Sequence, residues 1–139
     1  MNVKTYNISI KSKGENDMID LTERVSKKTT ESDITNGIVT VFVSGSTGAL
    51  TTIEYEPGLK QDFPAILSRL APKNQEYGHE KMWHDGNGHS HVKASLVGPS
   101  LTVPIINGTL TLGTWQQIVF VEFDVRSKSR QLILQVVGE

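Results

Sequence analysis

Tyr6, Ile8 and Ile10 alternate with Asn7 and Ser9, and a period of two is that of a half-buried strand. Thr22, followed by Glu23, Arg24 and Val25 and by Lys27 and Lys28, suggests a short helix ending near Ser32. Asn36-Gly37 supplies a turn, and Ile38 to Val43 is almost continuously apolar and β-branched, as expected of a central strand. After a run of small residues, Ser44 to Gly48, a further strand runs from Leu50 to Tyr55. Pro57-Gly58 breaks that pattern. Phe63, Ile66, Leu67 and Leu70 then fall at helical spacing, which predicts a helix over 59–70, stopped by Pro72.

Residues 73–88 have no clear periodicity and read as a long loop, a feature often tied to function in compact domains. The remainder reads as strands: His89 to Leu96, Leu101 to Ile106, Thr109 to Leu112, Gln117 to Val125 and Gln131 to Val137. Asn107-Gly108 between two of them is a hairpin signal, since both residues tolerate positive φ. The sum is one α+β domain spanning 1–139, with a mainly antiparallel, sandwich-like sheet core and about two helices.

Composition narrows the chemistry. Hydrophobic residues are 37% and charged residues 21% of 139, which suits a globular domain with a substantial core. Fourteen basic and 15 acidic side chains leave a net charge of −1, so nucleic acid is not an expected partner. The short basic stretch Arg126 to Arg130 reads as a solvated hairpin tip. Cysteine is absent, which removes disulfides, Cys-ligated zinc and a thiol nucleophile. No apolar run is long enough for a membrane helix and the N-terminus has no secretory pattern, so a cytoplasmic location is expected.

All four histidines, His79, His84, His89 and His91, fall within thirteen positions. On a strand, His89 and His91 would share a face and offer two imidazoles to one cation, with His79 and Asp85 folding over from the loop. Zn²⁺ suits such a donor set, and Mn²⁺, Ni²⁺ or Fe²⁺ are open alternatives. Ordinary surface histidines are the competing account. Gly45, Ser46, Thr47 and Gly48 could cradle a phosphate or carboxylate through backbone N–H groups and hydroxyls, or simply form a hairpin turn. Lys93 would share the face of His89 and His91 and neutralise a phosphoryl oxygen, unless it is merely solvated. Glu54 is a further polar candidate. Trp115 reads as core or subunit-interface packing rather than a substrate platform. No Walker loop and no Gly-x-Ser-x-Gly elbow is present.

The run Tyr77-Gly78-His79, then Asp85 to Leu96, continues into Gly98 to Pro104 and on to Leu112-Gly113-Thr114-Trp115-Gln116-Gln117-Ile118 and Glu122-Phe123-Asp124. This pattern closely resembles the YjbQ family, often described as secondary thiamine-phosphate synthases. The resemblance implies a small α+β fold, a homotrimer, and a weak thiamine-phosphate synthase activity on phosphorylated metabolites. It matches His79 and His91 to the family's two histidines here, Asp85 and Asn87 to acidic or amide positions, and Glu54 to a glutamate after a His-Thr-Thr-Ala motif. Glu54 and Lys93 would then serve catalysis. This chain departs from that motif: Gly45 stands where the histidine is expected. His89, absent from the common pattern, is the candidate to restore a third imidazole. A non-catalytic, metal- or phosphometabolite-binding homotrimer is the other reading.

Overall fold

A computed structural model describes residues 1–139. The elements in order are β1 (Asn2–Lys11), β2 (Met18–Asp20), α1 (Thr22–Glu31), β3 (Gly37–Val43), β4 (Gly48–Ile53), α2 (Pro57–Leu70), α3 (Gly78–Trp83), α4 (Gly88–Val97), β5 (Ser100–Ile106), β6 (Thr109–Leu110), β7 (Gln117–Glu122) and β8 (Ser129–Gly138). Five strands form one sheet in the order β1-β8-β3-β5-β6, and three form a second in the order β2-β7-β4. Every pairing is antiparallel.

β7 explains how the layers stack. Its successive side chains point to opposite faces, yet Ile118, Val119, Phe120 and Val121 are all fully buried. Ile118 and Phe120 join the main core, with Val39, Val41 and Val43 of β3 and Leu132, Leu134 and Val136 of β8. Val119 and Val121 face the other way, into a smaller core with Leu67 of α2 and Ala94 of α4. The small sheet is therefore the middle layer, between the large sheet and two helices. Covering on both faces accounts for its uninterrupted apolar run.

The α+β class, the antiparallel sandwich and the helix ahead of Pro72 agree with the sequence reading. α2 starts at Pro57, where Glu56 accepts from Gly58 N at 2.8 Å and Leu59 N at 2.5 Å. There are four helices instead of about two. α3 lies in the stretch read as loop, and the strand expected over 89–96 is helix α4. Its buried positions, His89, Ser90, Lys93 and Ala94, follow helical spacing. β6 is shorter than expected, and β7 stops at Glu122 instead of Val125. Arg130 is not part of a solvated tip: it is 7% exposed and pairs with Glu122, which is fully buried.

Candidate functional site

The site begins with the end of α3. His84 adopts a left-handed conformation (φ 55°) and Gly86 follows at φ 70°, so the chain reverses sharply. That reversal returns Asp85 to His79: Asp85 Oδ1 lies 2.9 Å from His79 Nε2. Asn87, just before α4, places its Oδ1 at the same distance from the same nitrogen. Both oxygens are acceptors, so Nε2 carries the hydrogen between them. The His91 ring, one turn into α4, packs tilted against His79 with centroids 4.3 Å apart.

Glu80 locks α3 to α4. Its Oε1 accepts from Gly88 N at 2.7 Å, which gives the helix N-terminus a negatively charged partner. Gly88 is required by packing, since a Cβ there would stand 2.5 Å from Glu80 Oε2 and 2.7 Å from the Tyr77 Cβ. His79, Glu80 and Asp85 offer ligand atoms within 4.8 Å of one another.

Asp124, which follows β7, supports Asn87 from behind. Asn87 Nδ2 donates to Asp124 Oδ2 at 3.3 Å. Burial pushes the Asp124 carboxyl up, but hydrogen bonds from Thr47 and Asn87, with nearby Lys128, prevail and hold it below its ordinary range. Thr47 also accepts from Arg130 Nη2 at 2.7 Å, and Arg130 forms a two-pronged pair with Glu122. A continuous polar chain thus runs from Thr47 through Arg130, Glu122, Asp124 and Asn87 to His79.

His89 lies apart from this cluster. On a helix, residues two apart face different sides, so His89 and His91 do not share a face as they would on a strand. His89 is 1% exposed, and its Nδ1 accepts from Lys93 Nζ at 3.2 Å, four residues on. That contact leaves the hydrogen on Nε2, which faces Glu15 Oε1 from 3.6 Å and has no hydrogen-bond partner. Burial first, and then the Lys93 charge, push the His89 pKa down. Burial likewise lowers that of Lys93, which is 2% exposed.

The remaining sequence candidates separate in the same way. Glu54 is exposed beyond β4, and the polar chain from Thr47 to His79 does not include it. Gly45 and Ser46 form an exposed loop, whereas Gly48 belongs to β4, where a Cβ would meet the Phe120 ring at 2.5 Å. Trp115 is 71% exposed and contributes nothing to the core. The single-residue reading of the sequence did not connect Asp124, Glu80, Glu122 and Arg130 to the site. Asp124, Glu122 and Arg130 are buried and Glu80 is half-buried, and burial of a charge has no pattern along a chain.

These features define a class of small single-domain α+β proteins in which a His/Asp/Asn cluster sits on the helical layer, tied by a buried polar chain to a glycine-containing loop. The chain belongs to the YjbQ family, described as UPF0047 protein YjbQ-like, which matches residues 6–139. It is 38% identical over 139 residues to a UPF0047 protein of Methanothermobacter thermautotrophicus, covering 100% of this chain and 95% of that one. The UPF0047 protein YjbQ of Escherichia coli O157:H7 is 29% identical over 137 residues, covering 98% and 97%. Among solved structures, a YbjQ-like protein of unknown function from Sulfolobus solfataricus P2 superposes with a TM-score of 0.89 at 30% identity, covering 99% of this chain and 100% of the other. An uncharacterised YjbQ/UPF0047 protein of Clostridium acetobutylicum gives 0.85 at 34% identity, covering 95% and 99%.

Proposed function

We propose that His79, Asp85, Asn87 and His91 hold a divalent metal ion, zinc above all, and that the protein uses it on a phosphorylated metabolite. The observation that carries this reading is the convergence of Asp85 Oδ1 and Asn87 Oδ1 on one imidazole nitrogen at 2.9 Å each. Donor atoms that share an ion at about 2.0–2.1 Å stand roughly 3.0–3.4 Å apart, so this set needs little rearrangement to exchange a proton for a metal. His91 is the adjacent nitrogen donor. Glu80 has one oxygen committed to Gly88 N and is a reserve ligand.

A bound ion would supply positive charge to phosphoryl oxygens, including those of a leaving diphosphate. The chain's own residues do the rest. Asp124 orients the Asn87 amide, Glu80 fixes α3 against α4, and the loop at Gly45 to Thr47 offers donors to a second anionic group. Transfer of thiamine-phosphate synthase type, implied by the YjbQ resemblance, is the reaction class proposed. Lys93, on the buried side of α4, pairs with His89 and has no part in direct phosphate contact.

A homotrimer is the proposed assembly. Its support is the outer face of the large sheet, where Ile38 pairs across to Pro104 and Val137, and Phe42 to Ile133. Ile38, Phe42 and Ile106 are each more than 40% exposed, an apolar surface that association would cover.

Elemental analysis of metal-replete, buffer-washed protein tests the metal. Wild type should retain near-stoichiometric metal, His79→Ala and His91→Ala should lose it, and His89→Ala should keep it. No retained metal in wild type would sink the reading. Metal lost on His89→Ala but kept on His91→Ala would move the site to the other side of α4. Metal-dependent product formation from a pyrimidine diphosphate and a thiazole phosphate then separates transfer from binding alone.

A further inference from the structure

The guanidinium of Arg130 has three nitrogens, and the fold spends only two. Nε donates to Glu122 Oε1 at 3.0 Å, while Nη2 serves both Glu122 Oε2 and Thr47 Oγ1. Nη1 is directed at Gly45. A Cβ at that glycine would stand 2.7 Å from Nη1, and the guanidinium is the only group such an atom would meet within 4 Å. Any side chain at 45 would crowd Nη1 out of this position. Glycine leaves it reachable through an exposed loop, although Arg130 as a whole is 93% buried.

The surrounding charges are already matched. Both Glu122 oxygens are engaged, Oε1 by Ser12 Oγ at 2.7 Å and by Arg130 Nε, and Oε2 by Arg130 Nη2 and by Asp124 N at 3.1 Å. Asp124 is held by Asn87 and faced by Lys128 Nζ at 3.7 Å. What remains unspent is donor capacity. Nη1 is joined by the backbone N–H groups of Gly45, Ser46 and Thr47, none of which has a backbone partner. The Ser46 hydroxyl is on the same exposed loop. A charged, planar donor with adjacent amides matches a tetrahedral oxyanion.

We propose that Arg130 Nη1, reached through Gly45, together with the Gly45–Thr47 amides, binds a phosphoryl oxyanion, either as free phosphate or as the phosphate end of a metabolite. This deepens the phosphate half of the proposed function and names Arg130 as its anchor, but it does not depend on a metal at His79. Within the polar chain described above, Thr47 and Asp124 would then couple occupancy of this loop to the orientation of Asn87.

The test is titration of metal-stripped protein with inorganic phosphate and with inorganic pyrophosphate, read by calorimetry. Wild type should bind, and Gly45→Ala, whose Cβ would stand 2.7 Å from Nη1 and so displace it, should weaken binding roughly tenfold, the worth of one charge-assisted hydrogen bond. Arg130→Lys, which keeps the charge beside Glu122 but removes Nη1, should show the same loss, and His79→Ala should not. Thermal unfolding of each variant identifies those that are folded. Wild-type affinity in a folded Gly45→Ala or Arg130→Lys protein overturns the proposal. So does phosphate binding that appears only after metal loading and vanishes in His79→Ala, an outcome that would leave the metal reading standing.

Discussion

The Asn87 amide donates to Asp124 and thereby turns its oxygen toward His79, so a carboxylate after β7 decides what the histidine meets. Residues behind a metal ligand commonly influence affinity by 10- to 100-fold, through orientation and not through contact with the ion. Asp124→Ala should therefore lower zinc affinity by about one to two orders of magnitude. A competition titration with a chromophoric chelator measures it. Unchanged affinity would mean that Asn87 is oriented by something other than Asp124.

Glu122 is fully buried and its charge is balanced by Arg130. Glu122→Gln keeps the shape and strands the guanidinium, so it should cost about 3–5 kcal/mol of stability. Urea unfolding gives the figure. A loss below about 1 kcal/mol, the range of exposed pairs, would show that water reaches the pair.

Two groups set separate pH windows. The His89 pKa is lowered from 6.5 in the fold, so the unfolded chain takes up its proton first as pH falls. Stability should decline below about pH 6.5 until the folded histidine also titrates. The Asp124 pKa is lowered from 3.8, so its contribution is present above that value and is lost as pH falls through the folded pKa. In denaturant melts taken from pH 8 to 3, His89→Gln should flatten the upper decline only. A variant with the wild-type slope between pH 7 and 5 would remove His89 as the cause.

Gly88→Ala should disturb the site without replacing any of its residues. The added methyl meets Glu80 and Tyr77, and relieving that overlap displaces α3, which carries His79. Overpacking of this kind costs about 1–3 kcal/mol. The variant should melt earlier and retain less metal than wild type. Normal metal retention would show that α3 adjusts independently of α4.

Phe42→Glu places a charge among Ile133 and its neighbours on the outer face of the large sheet. Light scattering after size exclusion should report a trimer for wild type and a monomer for the variant. A trimer in both would locate the interface elsewhere.

The outline of the fold was legible because its strands carry ordinary apolar signals. β3, β7 and β8 bury valine, isoleucine, leucine and phenylalanine at readable intervals. α4 was not legible for a particular reason. Its buried side includes His89, Ser90 and Lys93, polar types that a hydrophobic pattern counts as exposed, while two histidines at a spacing of two imitate a strand. The Lys-Ala-Ser-Leu composition of 93–96 favoured a helix and was the available clue. The same polarity hid the site. His79, Asp85 and His91 were singled out as candidates from residue type, but Asp124 and Arg130 lie 37 and 83 residues from Asn87 and Thr47, the groups they hold. Only the sheet brings them together.

β8 lies between β1 and β3 in the large sheet, although most of the chain separates it from β1. During synthesis, β1 leaves the ribosome well ahead of β8 and has no strand to pair with until residues 129–138 have followed. β1 therefore cannot join the sheet in chain order. β3, β5 and β6 can pair with one another beforehand, but the sheet closes only when β8 inserts between β1 and β3.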